Sequence, residues 1–546
     1  MTIEADESYH FAPHERPAFP GSPFTPSHPL SRRVGYAGVA LLAGIGATFG
    51  NGLVTVNVAN LGGPIGLYAF EVSLLPAIYV AFNASANLML VRGRAQFGIP
   101  AITQGLLCVY ALAALVELMM PGPLSAMLIR AVCGMTAAAL LTFSIYNWMQ
   151  AMPLKARPLG LILAIGASQL GPALARLVPV DLLTTEGLQG LALIELGIAL
   201  AVLAAAMALP LPPSERSKAF QPLDFVTYPL VLVGMLLLCT VLSEGRLLWW
   251  TDTPWLGVAL AVAVLLFCAA GLMEHLRGEP LLRLRWLGSS GIRRFAIVAL
   301  LVRLALAEQT YGAVGLLTSG GLNNDQLHLL FGLVALAMVA GTIAAIVTVT
   351  ETRLPIQVMV AALIIAAGSW LDSSGTNLTR PPQLYLSQSL IAFGTTLFIG
   401  PALLYGFLQV LRQGGDHLVS FIVLFGTTQN LGGLAGSALL GTIQVIRTRA
   451  HALALSEHVL PMDPQVAQRI QGGAASLSGT IVDPGLQAAQ GGGLLGQAIT
   501  REATILAYND VFWFVTALAL ATAAYIALTG LFVWFRAKPD VAGAAA

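Results

Sequence analysis

A chain of 546 residues that is 57% hydrophobic and 10% charged, with a mean hydropathy of +0.79, is not a water-soluble domain. Its apolar runs lack the alternation of a barrel strand, so the composition predicts an all-α polytopic membrane protein, since lipid offers backbone polar groups no partner outside helices and closed barrels. A net charge of +1 provides no basic surface for nucleic acid, and the four cysteines (Cys108, Cys133, Cys239, Cys268) sit in apolar runs without metal-ligand spacing, which argues against a disulfide framework and a metal site.

Residues 1–33 are rich in Pro, His and Ser and read as a disordered cytoplasmic tail, with no cleavable signal peptide ahead of the first span. Fourteen apolar runs long enough to cross a bilayer follow: 34–58, 70–91, 98–119, 124–148, 158–178, 188–209, 225–243, 254–274, 293–318, 326–349, 355–371, 382–410, 418–442 and 507–535. The arrangement is six plus two plus six: a six-helix bundle over 34–210, a linker with two extra spans over 211–292, and a second bundle over 293–535. Residues 536–546 form a second cytoplasmic tail. Eighteen of the 27 basic residues, from Arg16 to Lys538, fall on one side, which the positive-inside rule makes the cytoplasm, with both termini there. No phosphate loop, catalytic constellation or cofactor signature appears, so the chain does not read as an enzyme.

The fifth span, from Arg157 to Val178, carries two ridges of small residues at helical spacing: Gly160, Ala164 and Ser168, then Ala167, Gly171 and Ala175, with Pro172 beside them. Such ridges let helices approach closely. The thirteenth span repeats the feature with Gly426, Gly432, Gly433, Gly436 and Gly441. Two such helices at equivalent places predict parallel halves related by a pseudo-two-fold axis, with these spans on the interface between the halves and a substrate site near the midplane. The only long outer loop, 447–507, has Asp463-Pro464 and Asp483-Pro484 as helix starts and Gly491-Gly492-Gly493 as an interruption. It reads as short amphipathic helices over the outer mouth, either a solvated lid or the docking site of a partner.

Ionisable groups at lipid depth are costly and mark functional positions. Arg130 in span 4, and Arg303 and Glu308 in span 9, meet that criterion, whereas Glu117 and Glu195 lie near span ends and read as reaching the headgroups. Arg303 and Glu308 are five residues apart, about 140° around a helix, and are poorly placed to pair with each other. Asn51, Asn57, Asn147, Gln309, Gln388 and Tyr405 add amides and a hydroxyl on spans 1, 4, 9 and 12. Those are the spans that line the cavity of a six-plus-six transporter once two spans are inserted. Glu308 is the one acid deep in such a span, and so the expected carrier of a coupling proton.

Several stretches resemble the fourteen-helix drug/proton antiporters of the major facilitator superfamily, the EmrB/QacA type. They are Thr55-Val-Asn-Val-Ala59, Arg130 in span 4, the Gly171-Pro172 pair of the antiporter motif, Pro222-Leu-Asp-Phe225, Glu279-Pro280, Asn430-Leu-Gly-Gly and Tyr508-Asn-Asp. The resemblance implies a secondary transporter of the cytoplasmic (inner) membrane that exports small amphipathic, hydrophobic or toxic compounds against inward proton flow. It also implies a periplasmic adaptor and an outer-membrane channel as partners of the long loop, a tripartite efflux arrangement. Where the family has an acid in span 1 this chain has Asn51, and Val91-Arg-Gly-Arg94 lacks the acid of the loop after span 2. A facilitator or importer of a small organic molecule, or a non-transporting scaffold or sensor, remain the alternative readings.

Overall fold

The computed structural model describes residues 15, 21–184, 188–350, 353–413, 417–460 and 462–537, and these are helical almost throughout. The first bundle holds α1 (Leu30–Ile65), α2 (Ala69–Phe97), α3 (Ile99–Met119), α4 (Pro123–Ala151), α5 (Leu159–Ala175) and α6 (Gln189–Ala208). The extra pair is α7 (Asp224–Glu244) and α8 (Pro254–Leu276). The second bundle holds α9 (Ser290–Ala305, continued by a π-turn at Glu308–Gly312 and a last piece at Ala313–Ser319), α10 (His328–Thr348), α11 (Leu354–Asp372), α12 (Tyr385–Gln413), α13 (Leu418–Glu457) and α14 (Pro484–Ala537). Twelve helices among the described residues are long and apolar enough to span a membrane. The other two are α5, at 17 residues, and α9, which its π-turn divides.

Each bundle closes on itself, and the halves meet through two equivalent pairs, α2 with α13 and α5 with α10, and also where α5 packs on α12. In each pair the fifth helix of one half lies on the second helix of the other. Gly166 on α5 faces Thr342 on α10, and Gly426 on α13 faces Asn87 on α2. The other glycines of these ridges seal contacts inside a half, except Gly441, which packs on Arg246 between the two inserted spans. A Cβ on Gly171 would come 2.1 Å from Thr48 Oγ1 on α1, and one on Gly436 would come 2.7 Å from the Ala307 Cβ beyond α9. The ridge Ala167, Gly171, Ala175 therefore belongs to the α1–α5 contact, where Gly44, Thr48 and Gly52 receive it. The expectation that Gly171 and Pro172 stand on the interface between halves is corrected accordingly.

Two other expectations change. Residues 21–29, read as part of a disordered tail, run along the linker: Gly21 N–H donates to Glu215 C=O (3.1 Å), Phe24 N–H donates to Pro213 C=O (2.9 Å), and Pro23 bridges Ser214. Most of residues 1–20, and 538–546 of the second tail, lie outside the described residues. The second change concerns the long outer loop. α13 runs to Glu457 and α14 begins at Pro484, so these spans continue as rods of 40 and 54 residues, roughly 60 and 80 Å at 1.5 Å per residue, against a hydrocarbon layer of about 30 Å. Asp463 caps the helix Pro464–Ser476, its side chain accepting from Gln465 N–H. The Gly491–Gly493 triplet does not interrupt α14, because Gly491 is where that short helix packs: a Cβ there would stand 2.4 Å from Ile470 C=O.

Candidate functional site

The interface between the halves encloses a cavity of about 160 Å3, displaced toward the end that carries the N-terminus and the basic loops. Thr48, Tyr79, Asn83, Asn87, Arg94 and Tyr146 line it from the first half, and Phe421, Phe425, Gln429 and Asn430 from the second. Among the described residues, no carboxylate lines it. Arg94 is only 6% exposed, and its Nε has no hydrogen-bond partner among the described residues. Gln429 likewise has its amide oxygen and nitrogen free. Across the halves, Asn430 Nδ2 donates to Asn83 Oδ1 at 2.7 Å. The mouth at the basic end is touched by the N-terminal segment, where Ser22 Oγ lies 2.6 Å from Tyr146 OH.

The first half buries an ion pair away from this cavity. Arg130 on α4 binds the Glu195 carboxylate on α6 through NH2 and donates to Gly50 C=O on α1 at 3.3 Å. Both side chains are at most 2% exposed. A Cβ on Gly50 would meet Tyr110 OH at 2.6 Å and Glu195 Oε1 at 3.2 Å, so the bare backbone there makes room for the pair. Glu195 is thus the buried counter-ion of Arg130, and the expectation that it snorkels to headgroups is overturned. It lies 65 residues from Arg130 in the chain, a separation at which spacing carries no signal.

The second half contains the opposite arrangement, two buried acids with no cation. Gln388 on α12 donates from Nε2 to Asp372 Oδ2 (2.7 Å) and to Glu308 Oε1 (3.0 Å). Glu308, Asp372 and Gln388 are 0%, 2% and 1% exposed. Neither acid forms an ion pair among the described residues, and Asp372 Oδ1 and Gln388 Oε1 lack any partner. The π-turn at Glu308 widens α9 at this point and presents its side chain to α12, and Gln309 Nε2 secures the turn by donating to Gln388 C=O at 3.2 Å. Asp372 escaped the sequence reading because it falls one residue beyond the apolar run 355–371, where an acid looks like a helix-end residue.

The residues expected to line one cavity are therefore distributed. Glu308, Gln309 and Gln388 come together, with Asp372 added. Arg303 is held apart from them: its Nε donates to Gln429 C=O at 2.9 Å and its side chain lies in the notch left by Gly432 and Gly433 on α13. Asn57 and Asn147 close back on their own helices, donating to Leu53 C=O and Phe143 C=O, and each leaves its side-chain oxygen unpaired. Asn51 is half-buried beside the Arg130 pair, with its oxygen also unpaired. Tyr405 faces a different cavity, inside the second half. None of these side chains, nor Gly171 or Pro172, lines the central cavity, whose polar lining comes from α1, α2, α4, α5 and α13.

No known family profile matches the chain. It is similar to the multidrug export protein EmrB of Escherichia coli, 27% identical over 128 residues, a stretch that is 23% of this chain and 22% of that protein. Solved structures share its fold over most of its length. The human organic anion transporter MFSD10 matches over 90% of this chain and 100% of that one, with TM-score 0.51 and 15% identity. The nucleoside transporter NupG matches over 91% and 99% (TM-score 0.50, 11% identity). A bacterial homologue of the human drug peptide transporters matches over 92% and 99% (TM-score 0.53, 12% identity). Two six-helix bundles meeting through equivalent helix pairs around a midline cavity, with two spans inserted between them, give this chain the fold of the major facilitator superfamily.

Proposed function

We propose that the chain is a proton-coupled exporter of neutral or anionic amphipathic compounds, set in a cytoplasmic (inner) membrane with its basic end and both termini toward the cytoplasm. The observation that carries this reading is the pair Glu308–Asp372 bridged by one neutral amide. Alternating access driven by protons requires a group that takes up a proton on one side and gives it up on the other. Two acids buried side by side without a cation repel each other when both are ionised, so binding a proton relieves the site. Arg130 does not serve this role, because its charge is matched by Glu195, and Asn51 does not titrate. The proton site lies in the second half and the substrate cavity on the interface, so coupling runs through α12, which supplies Gln388 to the first and Leu403 and Phe407 to the second.

The cavity supports the substrate class. Aromatic and aliphatic walls take an apolar body, amides and hydroxyls orient it, and Arg94 attracts a negative group in a lining without acids. The rods of α13 and α14, with the helix Pro464–Ser476 between them, offer the surface on which a periplasmic adaptor leading to an outer-membrane channel would dock.

The test is transport in proteoliposomes with an imposed pH gradient. Glu308→Gln and Asp372→Asn should each lower gradient-driven accumulation at least tenfold while leaving substrate exchange without a gradient intact. Undiminished pH-driven transport by both variants would overturn the proton assignment. Accumulation driven in the direction of proton flow would replace export with import.

A further inference from the structure

A second cavity, of about 340 Å3, lies inside the second half between the basic ends of α9, α11, α12 and α14. Its walls are apolar, built from Phe295, Val358, Phe398 and Ala402. Two of the polar groups that reach it from α12 and α14 have partners: Gln409 Nε2 donates to Tyr405 OH at 3.0 Å, and Thr529 Oγ1 donates to Tyr525 C=O and Ile526 C=O. Arg294 stands among the lining residues, half-exposed, with no ion pair among the described residues and no carboxylate in the lining. The opening is marked by exposed Gly291, Pro355 and Gly530, each at the basic end of its helix, with exposed Arg293 and Arg353 next to it in sequence. That end is the level of lipid headgroups. The volume is more than twice the roughly 150 Å3 of an apolar cavity that binds benzene.

We infer that this cavity binds an anionic phospholipid of the surrounding leaflet, with its phosphate on Arg294 and part of an acyl chain against Phe295, Val358, Phe398 and Ala402. A guanidinium without an ion pair among the described residues, at the rim of an apolar pocket, matches a ligand with one negative head and an apolar tail. Among such ligands the bilayer presents phospholipid at the right depth. A zwitterionic lipid would bring its own cation against three arginines, so net negative charge is selected. The site is also connected to the transport cavity. Phe295 packs on Tyr405 (ring centroids 6.3 Å apart) on this side and on Phe421 (5.8 Å) and Phe425 (6.5 Å), which line the central cavity, on the other. One aromatic wall therefore separates lipid from substrate.

The experiment is native mass spectrometry of the purified full-length chain titrated with dioleoyl phosphatidylglycerol, dioleoyl phosphatidylcholine or oleate. One phosphatidylglycerol should bind at least tenfold more tightly than phosphatidylcholine. Arg294→Gln should weaken it about tenfold, Arg294→Lys should retain most of the binding, and Val358→Phe should weaken it by filling the cavity without changing charge. Circular dichroism melting confirms that each variant is folded. Equal affinity for the two lipids, or unchanged phosphatidylglycerol binding by Arg294→Gln, overturns the assignment. Arg294-dependent binding of oleate without preference for phosphatidylglycerol also overturns it, giving the cavity to free fatty acids. The readout involves no transport, so it stands or falls separately from the proton-coupled function.

Discussion

Gly166 on α5 lies against Thr342 on α10 so closely that a Cβ would stand 2.6 Å from the Thr342 Oγ1 atom and 2.7 Å from its Cγ2. This contact between the halves is matched in closeness by Gly400 on α12, whose Cβ would stand 2.6 Å from Ile162 Cγ2, and it involves one small residue of α5 and not the whole ridge. Gly166→Leu should therefore wedge the halves apart. Overpacking costs typically 1–3 kcal/mol. The expected result is a loss of transport of tenfold or more in protein that still purifies as a monodisperse species. Gly171→Leu should behave differently, because it strikes Thr48 and the backbone at Phe49 within one half, and it should lower the melting temperature and yield first. Parallel melting curves and uptake assays of the two variants separate these outcomes.

The Arg130–Glu195 pair should behave as a structural ion pair. Removing one partner leaves the other charge buried, which typically costs 3–5 kcal/mol, whereas replacing both by apolar residues of similar volume is often neutral. Glu195→Leu alone is expected to be strongly destabilising, and adding Arg130→Met should restore most of the loss. Chemical denaturation of the purified variants measures both steps. A stable, fully active Glu195→Leu single variant would show that the pair does not hold α4 to α6.

Asn430 donates to Asn83 across the interface at 2.7 Å on the side of α2 and α13. Cysteines at these two positions, in a chain whose four native cysteines are replaced, should be joined by a short thiol cross-linker. Transport should stop on cross-linking and return when a cleavable linker is reduced. Full transport by quantitatively cross-linked protein would mean that α2 and α13 do not separate during the cycle.

The N-terminal segment should release in acid. His28 bonds Gln150 Oε1 through Nε2 at 2.9 Å, and burial, aided by Arg32 and Arg157, holds its imidazole below the ordinary value of 6.5 against the opposing effect of that hydrogen bond. The docked segment thus binds protons less readily than the released one, so docking is at full strength above pH 6.5 and weakens as pH falls below it. A spin label on Ser27→Cys, an exposed site in that segment, should become more mobile between pH 7.5 and 5.5. His28→Gln should remove the pH dependence.

Hydropathy made the spans legible, because each must bury about twenty residues' worth of apolar surface in lipid. It did not reveal where helices end, since a helix that leaves the membrane keeps its backbone bonds as long as the sequence tolerates them. The 70–91 run became Ala69–Phe97, and the 507–535 run became the tail of a helix that begins at Pro484. Small-residue spacing announced close approach but not the partner: a ridge fixes which face is narrow, and only the fold decides that Gly171 meets α1 while Gly166 meets α10. Glu308 was legible as a lone acid at lipid depth. Its companion Asp372 was not, because proximity across α9, α11 and α12 is a property of packing and has no trace in spacing. The same holds for Arg94, which reads as a residue of a basic loop and becomes a buried cavity wall once α2 extends to Phe97.

The rods of α13 and α14 give the interface a lever. α13 touches α2 of the opposite half at Gly426 and Asn430 and continues as one helix to Glu457, clamped to α14 where Asp510 accepts from Arg447 Nε (2.6 Å) and lies 2.6 Å from His451 Nε2. A rigid arm amplifies rotation in proportion to its length: a tilt of about 10° at the interface displaces a point roughly 40 Å along the rod by about 7 Å. Any tilt of α13 against α2 would thereby be read out as a change in the position of the Pro464–Ser476 helix.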